Sequence, residues 1–206
     1  MKYSISILLA LIGLLFPLEP SAAGPGMKNM PRLSTLLEKG VVVVIETNKN
    51  NKFKSATAYI PVDAPAQKVF DTILDFSGYP SFMPTCIKAD VLSKTQDQAV
   101  VKYELEVPGL NTKYTVQYRI DSEHLAIYAK WKAGDLEGSR WTWRLVPLEK
   151  NRTLVEYKGT TKNFSSFAAS LEDKRQTLTV GINVTSVVAS VRAVKARAEG
   201  GSKHQK

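Results

Sequence analysis

The side chains able to do acid–base, nucleophilic or metal chemistry are few in this chain of 206 residues. There are two histidines, and His204 lies in a polar C-terminal stretch, so His124 is the one available to a folded site. It follows Asp121-Ser122-Glu123 in a predicted turn, where a histidine is solvated rather than poised as a general base. Cys86 is the single cysteine. One cysteine cannot form an intrachain disulfide, and with one histidine it cannot assemble a conventional zinc site. It reads as a small core residue at a strand start after Pro84. Asp71 and Asp75 lie four apart and share a helix face, the spacing of a carboxylate pair. The turn at Gly78-Tyr79-Pro80 follows at once, so Asp75 is read as stabilising that turn. Glu104 and Glu106 fall on a polar strand face. No EF-hand loop, phosphate loop, dinucleotide fingerprint or nucleophile elbow is present in the sequence. Hence no catalytic residue, metal ligand or cofactor is assigned.

The aromatic side chains carry more information. Phe82, Tyr103, Tyr114, Tyr118, Trp131, Trp141 and Trp143 combine apolar bodies with, for most, a polar tip that wants a partner when buried. Taken singly each is ordinary core; together they have the chemistry of a small-molecule pocket with apolar walls and a few hydroxyl and indole donors. Phe82 and Met83, in the segment before the strands, are expected to form part of a portal.

A run of strands must position these residues. The stretches 89–93, 99–107, 112–120, 125–131, 137–148 and 153–161 are apolar-aromatic and punctuated by Gly, Asn, Asp and Pro, the pattern of antiparallel strands joined by short turns. Alternation puts Val101, Tyr103 and Leu105 on one face and Lys102, Glu104 and Glu106 on the other; Trp141, Trp143 and Leu145 oppose Arg140, Thr142 and Arg144. One face is apolar and the other wet, as in a sheet covered on one side. Upstream, 41–45 and 54–62 read as a hairpin around the polar turn at 48–51. Asp63-Ala64-Pro65 reads as a helix start, with Asp63 capping and Pro65 in the first turn of a helix over 65–74; Ser81 to Pro84 reads as one further helical turn.

The cover is the long segment 166–199. Val180, Val184, Val187, Val188, Val191, Val194 and Ala198 recur at three and four, one stripe of a helix. Leu178, Val180, Ile182 and Val184 also alternate among threonines, as in a strand, and Gly181 weakens a helix. The helix is preferred because the spacing of three and four continues past Val184, with a kink or late start expected near Gly181. Val184, Val188 and Val191 are its expected contribution to a ligand site. The architecture so read is α+β: a curved antiparallel sheet wrapped around a long C-terminal helix.

At 44% hydrophobic and 23% charged, the composition is globular rather than disordered. Lys2, an apolar run from Ile5 to Phe16 and Ser21-Ala22-Ala23 have the layout of a cleavable signal peptide over 1–23. A linker is expected at 24–38, with a short helix at 33–38, then one domain over 39–199 and a polar tail over 200–206. Periplasmic or secreted localisation follows as the expectation. Asn151, Asn163 and Asn183 each open a glycosylation-like triplet, a pattern common by chance and given no weight. The formal charge of +9 is scattered, without a zinc finger, helix-turn-helix or aromatic nucleic-acid platform. No nucleic-acid partner is assigned; an anionic membrane surface, met by Arg192, Lys195 and Arg197 with Lys203 and Lys206, is the alternative to a merely soluble surface. Oligomeric state is not read from the sequence.

Several stretches resemble a known family. Ala64-Pro65 with Val69-Phe70, Asp75-Phe76, Tyr79-Pro80, Phe82-Met83-Pro84 and a later strand running from Gly138 to Trp143-Arg144-Leu145 are similar to the polyketide cyclase/dehydrase and coenzyme Q-binding branch of the START-like, helix-grip superfamily, over about residues 39–199. These residues are packing and turn positions. The resemblance implies a cavity for an apolar molecule such as a lipid, quinone, sterol or aromatic polyketide, and in a minority of members cyclisation or dehydration. Three functions are carried forward: a carrier or sensor of a hydrophobic small molecule; a cyclase or dehydratase, for which Tyr103, Tyr118 or His124 would have to serve; and an interaction module with no open cavity.

Overall fold

Alternating apolar and polar residues lock the strands of this protein in register. In a computed structural model, which describes residues 35–107, 110–149, 151–162 and 175–200, the strands are β1 (Val42–Thr47), β2 (Phe53–Val62), β3 (Cys86–Lys94), β4 (Gln98–Val107), β5 (Leu110–Asp121), β6 (Ala126–Gly134), β7 (Arg140–Leu148) and β8 (Arg152–Thr160). They form one sheet in the order β1-β2-β8-β7-β6-β5-β4-β3, antiparallel at every pairing. The signal peptide expected over 1–23, the linker up to residue 34, the first part of the expected helical segment (166–174) and the tail beyond Gly200 lie outside the described residues.

The chain leaves the hairpin after β2 through α1 (Ala66–Leu74), a 3-10 turn (Phe76–Gly78) and the one-turn α2 (Tyr79–Phe82), then runs the meander β3 to β8. The last strand returns beside β2, with Ile60 opposite Val155. The start of α1 differs from expectation. Pro65 is its N-cap, extended and without a side-chain cap, and the helix begins at Ala66. Asp63 does not cap: its carboxylate pairs with Arg152 at 2.8 Å, and its backbone N–H donates to Glu199. Asp75 does hold the following turn, accepting from the Gly78 N–H at 3.1 Å.

The C-terminal helix α3 (Arg175–Ala198) is continuous through Gly181, so it does not start late there. It is long and apolar enough over Thr177–Ala198 to cross a membrane, yet a stripe of it is buried against the sheet. That stripe is Asn183, Val187, Val191, Val194 and Ala198. Val191 is on it as expected; Val184 is half-buried against the core, and Val188 is half-buried beside the stripe rather than within it. The helix packs tightly over Gly159, where an added Cβ would lie 3.1 Å from Val187 Cγ1 and 3.3 Å from Trp141. A side chain there would push helix and sheet apart. At its far end, Lys195 donates to the Pro61 carbonyl and pairs with Glu199, tying α3 to the end of β2.

One expectation about the sheet is half right. The outer face is wet along β4, but on β2 and β8 it is also buried: Ser55, Thr57, Tyr59 and Glu156 are all under 5% exposed. Glu46, Lys158 and Arg144 lie across that patch, with Lys158 bonded to Glu46 at 2.9 Å and Arg144 to Glu156 at 3.5 Å. Central strands flanked by long side chains on both sides lose their contact with water.

Candidate functional site

The inner, concave face of the sheet is where the aromatic residues converge. Every paired inward position of β4 to β8, and of β2 from Ala56 to Val62, is uncharged. A relay of rings crosses it. Phe82 packs edge-on to Tyr79 at 5.4 Å, Tyr79 stacks on Tyr103 at 5.8 Å, Tyr103 meets Tyr114 at 5.6 Å, and Tyr114 meets Trp141 at 6.0 Å. Phe76, from the turn before α2, covers Tyr118 at 4.4 Å. Trp143 stacks on Tyr157 at 3.8 Å. Strand alternation places these rings, and α1 with the turn and α2 closes over them.

Coverage of this face is uneven. Helix α3 packs on β2 and β8, and against α1 and α2, but among the described residues it makes no comparable packing with β4, β5 or β6. On those strands Val116, Tyr103 and Tyr118 are buried, while Leu105, Tyr114 and Trp131 are only half-buried although they point inward. They neighbour one another in register, Tyr103 opposite Tyr114 and Val116 opposite Trp131. The described residues thus cover the inner face more fully over Tyr118 than toward Tyr114.

The hydroxyl groups differ in how they are satisfied. Tyr79 donates to the Ile73 carbonyl at 2.8 Å, and Ser190 of α3 faces Tyr157, partly offsetting the upward push of burial on its ionisation. Tyr103 and Tyr118 bond to each other, Oη to Oη, at 2.9 Å. Two hydroxyls carry two hydrogens, and this contact uses one. Among the described residues no acceptor takes the other, and none takes the hydroxyl hydrogen of Tyr114. Burial, reinforced by the neighbouring tyrosines, pushes the ionisation of Tyr79, Tyr103 and Tyr114 well above the usual phenol range. Tyr118 is also raised, by burial, against the opposing effect of its bond to Tyr103. All of them remain neutral donors at ordinary pH.

Two of the three indoles have hydrogen-bond partners. Trp141 Nε1 donates to Thr161 Oγ1 at 3.3 Å, and Trp131 Nε1 to the Gly134 carbonyl at 3.0 Å. Trp131 sits where β6 bulges, with Lys132 the extra residue opposite Thr115 and Val116 of β5, and Gly134 has φ +80°, with an added Cβ colliding with the Lys113 carbonyl. Trp131 is thus not a free donor.

Phe82 and Met83 are corrected by the structure. Both are buried in the core cluster, Phe82 as the last residue of α2, so they do not form an open rim. Packing of Phe82 against Tyr79 draws the segment inward. His124 stands exposed in its turn with Nδ1 2.9 Å from Asp121 Oδ1, and that hydrogen bond raises its pKa above the ordinary value. It lies outside the inner face. Asp71 is held by Gln67 and Asp75 by Gly78, so the two do not act as a pair. Among the described residues no group of His, Cys, Asp and Glu has the arrangement of a metal site.

Sequence reasoning missed Phe76, Tyr79, Tyr157 and Asn183. Tyr157 alternates with Val155 and Gly159, a signal that strand periodicity would have caught. Tyr79 was hidden inside a turn signal. Asn183 is four before Val187 on the same stripe, and its fully buried amide is the polar clamp of the helix. Its Oδ1 accepts from Thr161 N–H at 2.6 Å, and its Nδ2 donates to the carbonyls of Thr161 at 3.1 Å and Thr179 at 2.9 Å. Burial also bars it from glycosylation in the folded protein.

Residues 62–184 match the family model described as polyketide cyclase / dehydrase and lipid transport. The ribosome association toxin RatA of Rickettsia prowazekii (strain Madrid E) is 26% identical over 84 residues, 39% of this chain and 58% of that protein. The persistence and stress-resistance toxin PasT of Escherichia coli O6:H1 is 22% identical over 103 residues, 50% of this chain and 63% of that one. The chain therefore spans less than two thirds of the length of these curated relatives. Among solved structures, the Zhui aromatase/cyclase from Streptomyces sp. R1128 superposes with TM-score 0.61 at 22% identity, covering 72% of this chain and 98% of that one. A STAR-related lipid transfer protein from Xanthomonas axonopodis gives TM-score 0.61 at 15% identity, over 78% and 94%. TTHA0849 from Thermus thermophilus gives 0.60 at 17%, over 70% and 97%. At these identities the structural likeness concerns the fold.

Proposed function

The chain belongs to the polyketide cyclase/dehydrase and lipid transport family, and from that premise we propose that it binds and carries a hydrophobic small molecule between the inner face of β4–β6 and helix α3. The observation that carries this reading is the uncharged, aromatic inner face: among the described residues α3 does not pack comparably over its strands β4–β6, and Leu105, Tyr114 and Trp131 there are only partly buried. An exposed apolar surface inside a curved sheet is stabilised by a ligand that removes it from water, at about 25 cal/mol per Å² before the entropic cost of association. Trp141 and Trp143 form the floor, and Val184 and Val191 contribute from the helix. Cyclisation or dehydration would need an inward acid or base. The inward titratable groups described are tyrosines whose ionisation is pushed upward and the buried Cys86, none of them an ionised acid or base at ordinary pH, which favours carriage over catalysis.

Two further parts of the reading concern location. Residues 1–23 direct export and are removed near Ala23. The basic end of α3 meets an anionic lipid surface, bringing the open face near a source of apolar ligand. Arg192 and Arg197 are exposed there, Arg197 lying 5.8 Å from the Phe82 ring, while Lys195 is engaged with Pro61 and Glu199.

Titration with Nile red, a neutral apolar dye, tests the binding claim. Saturable enhancement of its emission, energy transfer from tryptophan that drops in Trp141→Phe, and a raised melting temperature by mass action are expected. A dye that neither saturates nor shifts the melting temperature contradicts it.

A further inference from the structure

The inner face also specifies the polarity of what it holds. We propose that Tyr103 and Tyr118 form an anchor for an uncharged acceptor oxygen, so that the ligand is a neutral ketone, quinone or similar oxygenated molecule and not a free carboxylic acid. This deepens the hydrophobic-ligand reading and rests on it.

Both hydroxyls sit on residues more than nine-tenths buried, 3% exposed for Tyr103 and 7% for Tyr118. Their mutual bond leaves one O–H without an acceptor among the described residues. A buried donor left unsatisfied is costly, and in this proposal an oxygen of the ligand completes the pair. Tyr114, adjoining Tyr103 at 5.6 Å on the open side, adds a second unclaimed donor along the same line of rings. The two donors mark a path from the open end toward Tyr118, suited to a molecule with oxygens at both depths.

Charge decides the class. The paired inward positions of β4 to β8 carry no cation, and neither does the buried stripe of α3. The neutral phenols cannot compensate an ionised carboxylate as Arg or Lys would, so such a ligand would lose its hydration without a counter-charge. A carbonyl oxygen accepts the spare hydrogen bond and brings no charge to desolvate.

Three probes of nearly one shape separate the possibilities: acetylnaphthalene, isopropylnaphthalene and naphthoate, titrated by tryptophan quenching into the full chain. The neutral ketone is expected to bind about tenfold tighter than its hydrocarbon isostere, the worth of one buried hydrogen bond. It should bind roughly a hundredfold tighter than the carboxylate. The double variant Tyr103→Phe/Tyr118→Phe removes both partners of the pair at constant shape, which leaves the fold near neutral in stability. There the ketone and hydrocarbon should bind alike, with hydrocarbon affinity kept. Equal binding of all three to the wild type, or tightest binding of naphthoate, overturns the anchor and leaves the hydrophobic-ligand reading standing. Binding of none of the three overturns both.

Discussion

Replacing Asn183 with leucine tests how the helix that forms one wall of the site is held. The Asn183 side chain satisfies both the N–H and the carbonyl of Thr161, a residue only 7% exposed at the end of the sheet. Leucine nearly conserves volume but orphans both groups. At about 1–3 kcal/mol for each buried unsatisfied group, the loss is about 4 kcal/mol. Added apolar burial returns about 1 kcal/mol, leaving a net loss of about 3 kcal/mol. For a domain of this size that corresponds to a fall in melting temperature of about 6–12 °C. Urea unfolding followed by tryptophan emission measures it, because Trp141 is bonded to the same Thr161 and reports the joint. The midpoint should fall with the slope unchanged. Thr185→Ala, on the exposed side of the same helix, should stay within about 0.5 kcal/mol. A loss below about 1 kcal/mol in Asn183→Leu, or one no larger than in Thr185→Ala, would refute the clamp.

Three other outcomes are expected. Burial raises the pKa of Glu156, with Arg144 and Lys158 only partly offsetting it. The native state therefore holds that proton more tightly than the unfolded chain, and stability from this group falls as pH rises through the ordinary carboxylate range up to the raised value. The difference in unfolding free energy between wild type and Glu156→Gln should fall over that interval and then level; a rise would show the sign to be wrong. Cosedimentation should find the protein on anionic vesicles at low salt and not on neutral ones, with Arg192→Gln/Arg197→Gln weakening binding by roughly 2 kcal/mol. Sedimentation with ribosomes in place of vesicles would assign the basic end elsewhere. Finally, residues 1–23 fused to a reporter should export it with cleavage near Ala23, and an uncleaved reporter inside the cell contradicts the export proposal.

Much of the architecture was legible because periodicity encodes it. Strand alternation put Tyr103, Tyr118, Trp141 and Trp143 on the inner face, and they are there. The valine spacing drew α3, and its stripe at Val187, Val191 and Val194 is fully buried. Gly181 did not break the helix because it sits on an exposed side with nothing within 4 Å of its Cβ position, where the cost of glycine is about 1 kcal/mol. What failed was whatever depends on contacts distant in sequence. Phe82 and Met83 looked like a loop rim, but their burial in the core cluster with residues of the meander is tertiary. Asp63 had the local chemistry of a cap, yet Arg152 and Glu199, far along the chain, claim it. The Tyr103–Tyr118 bond joins residues fifteen apart across β4 and β5, and no spacing rule announces it. The proposed anchor lies in that unannounced contact, which is why periodicity alone led to an apolar inner face and not to a polar anchor on it.

Native mass spectrometry of the protein purified from its own host tests the central claim most directly. The account expects a single small molecule per chain, neutral and oxygenated, retained under gentle ionisation and released on unfolding, and diminished in Asn183→Leu. Protein that carries nothing from its host and takes up no neutral apolar probe would contradict it.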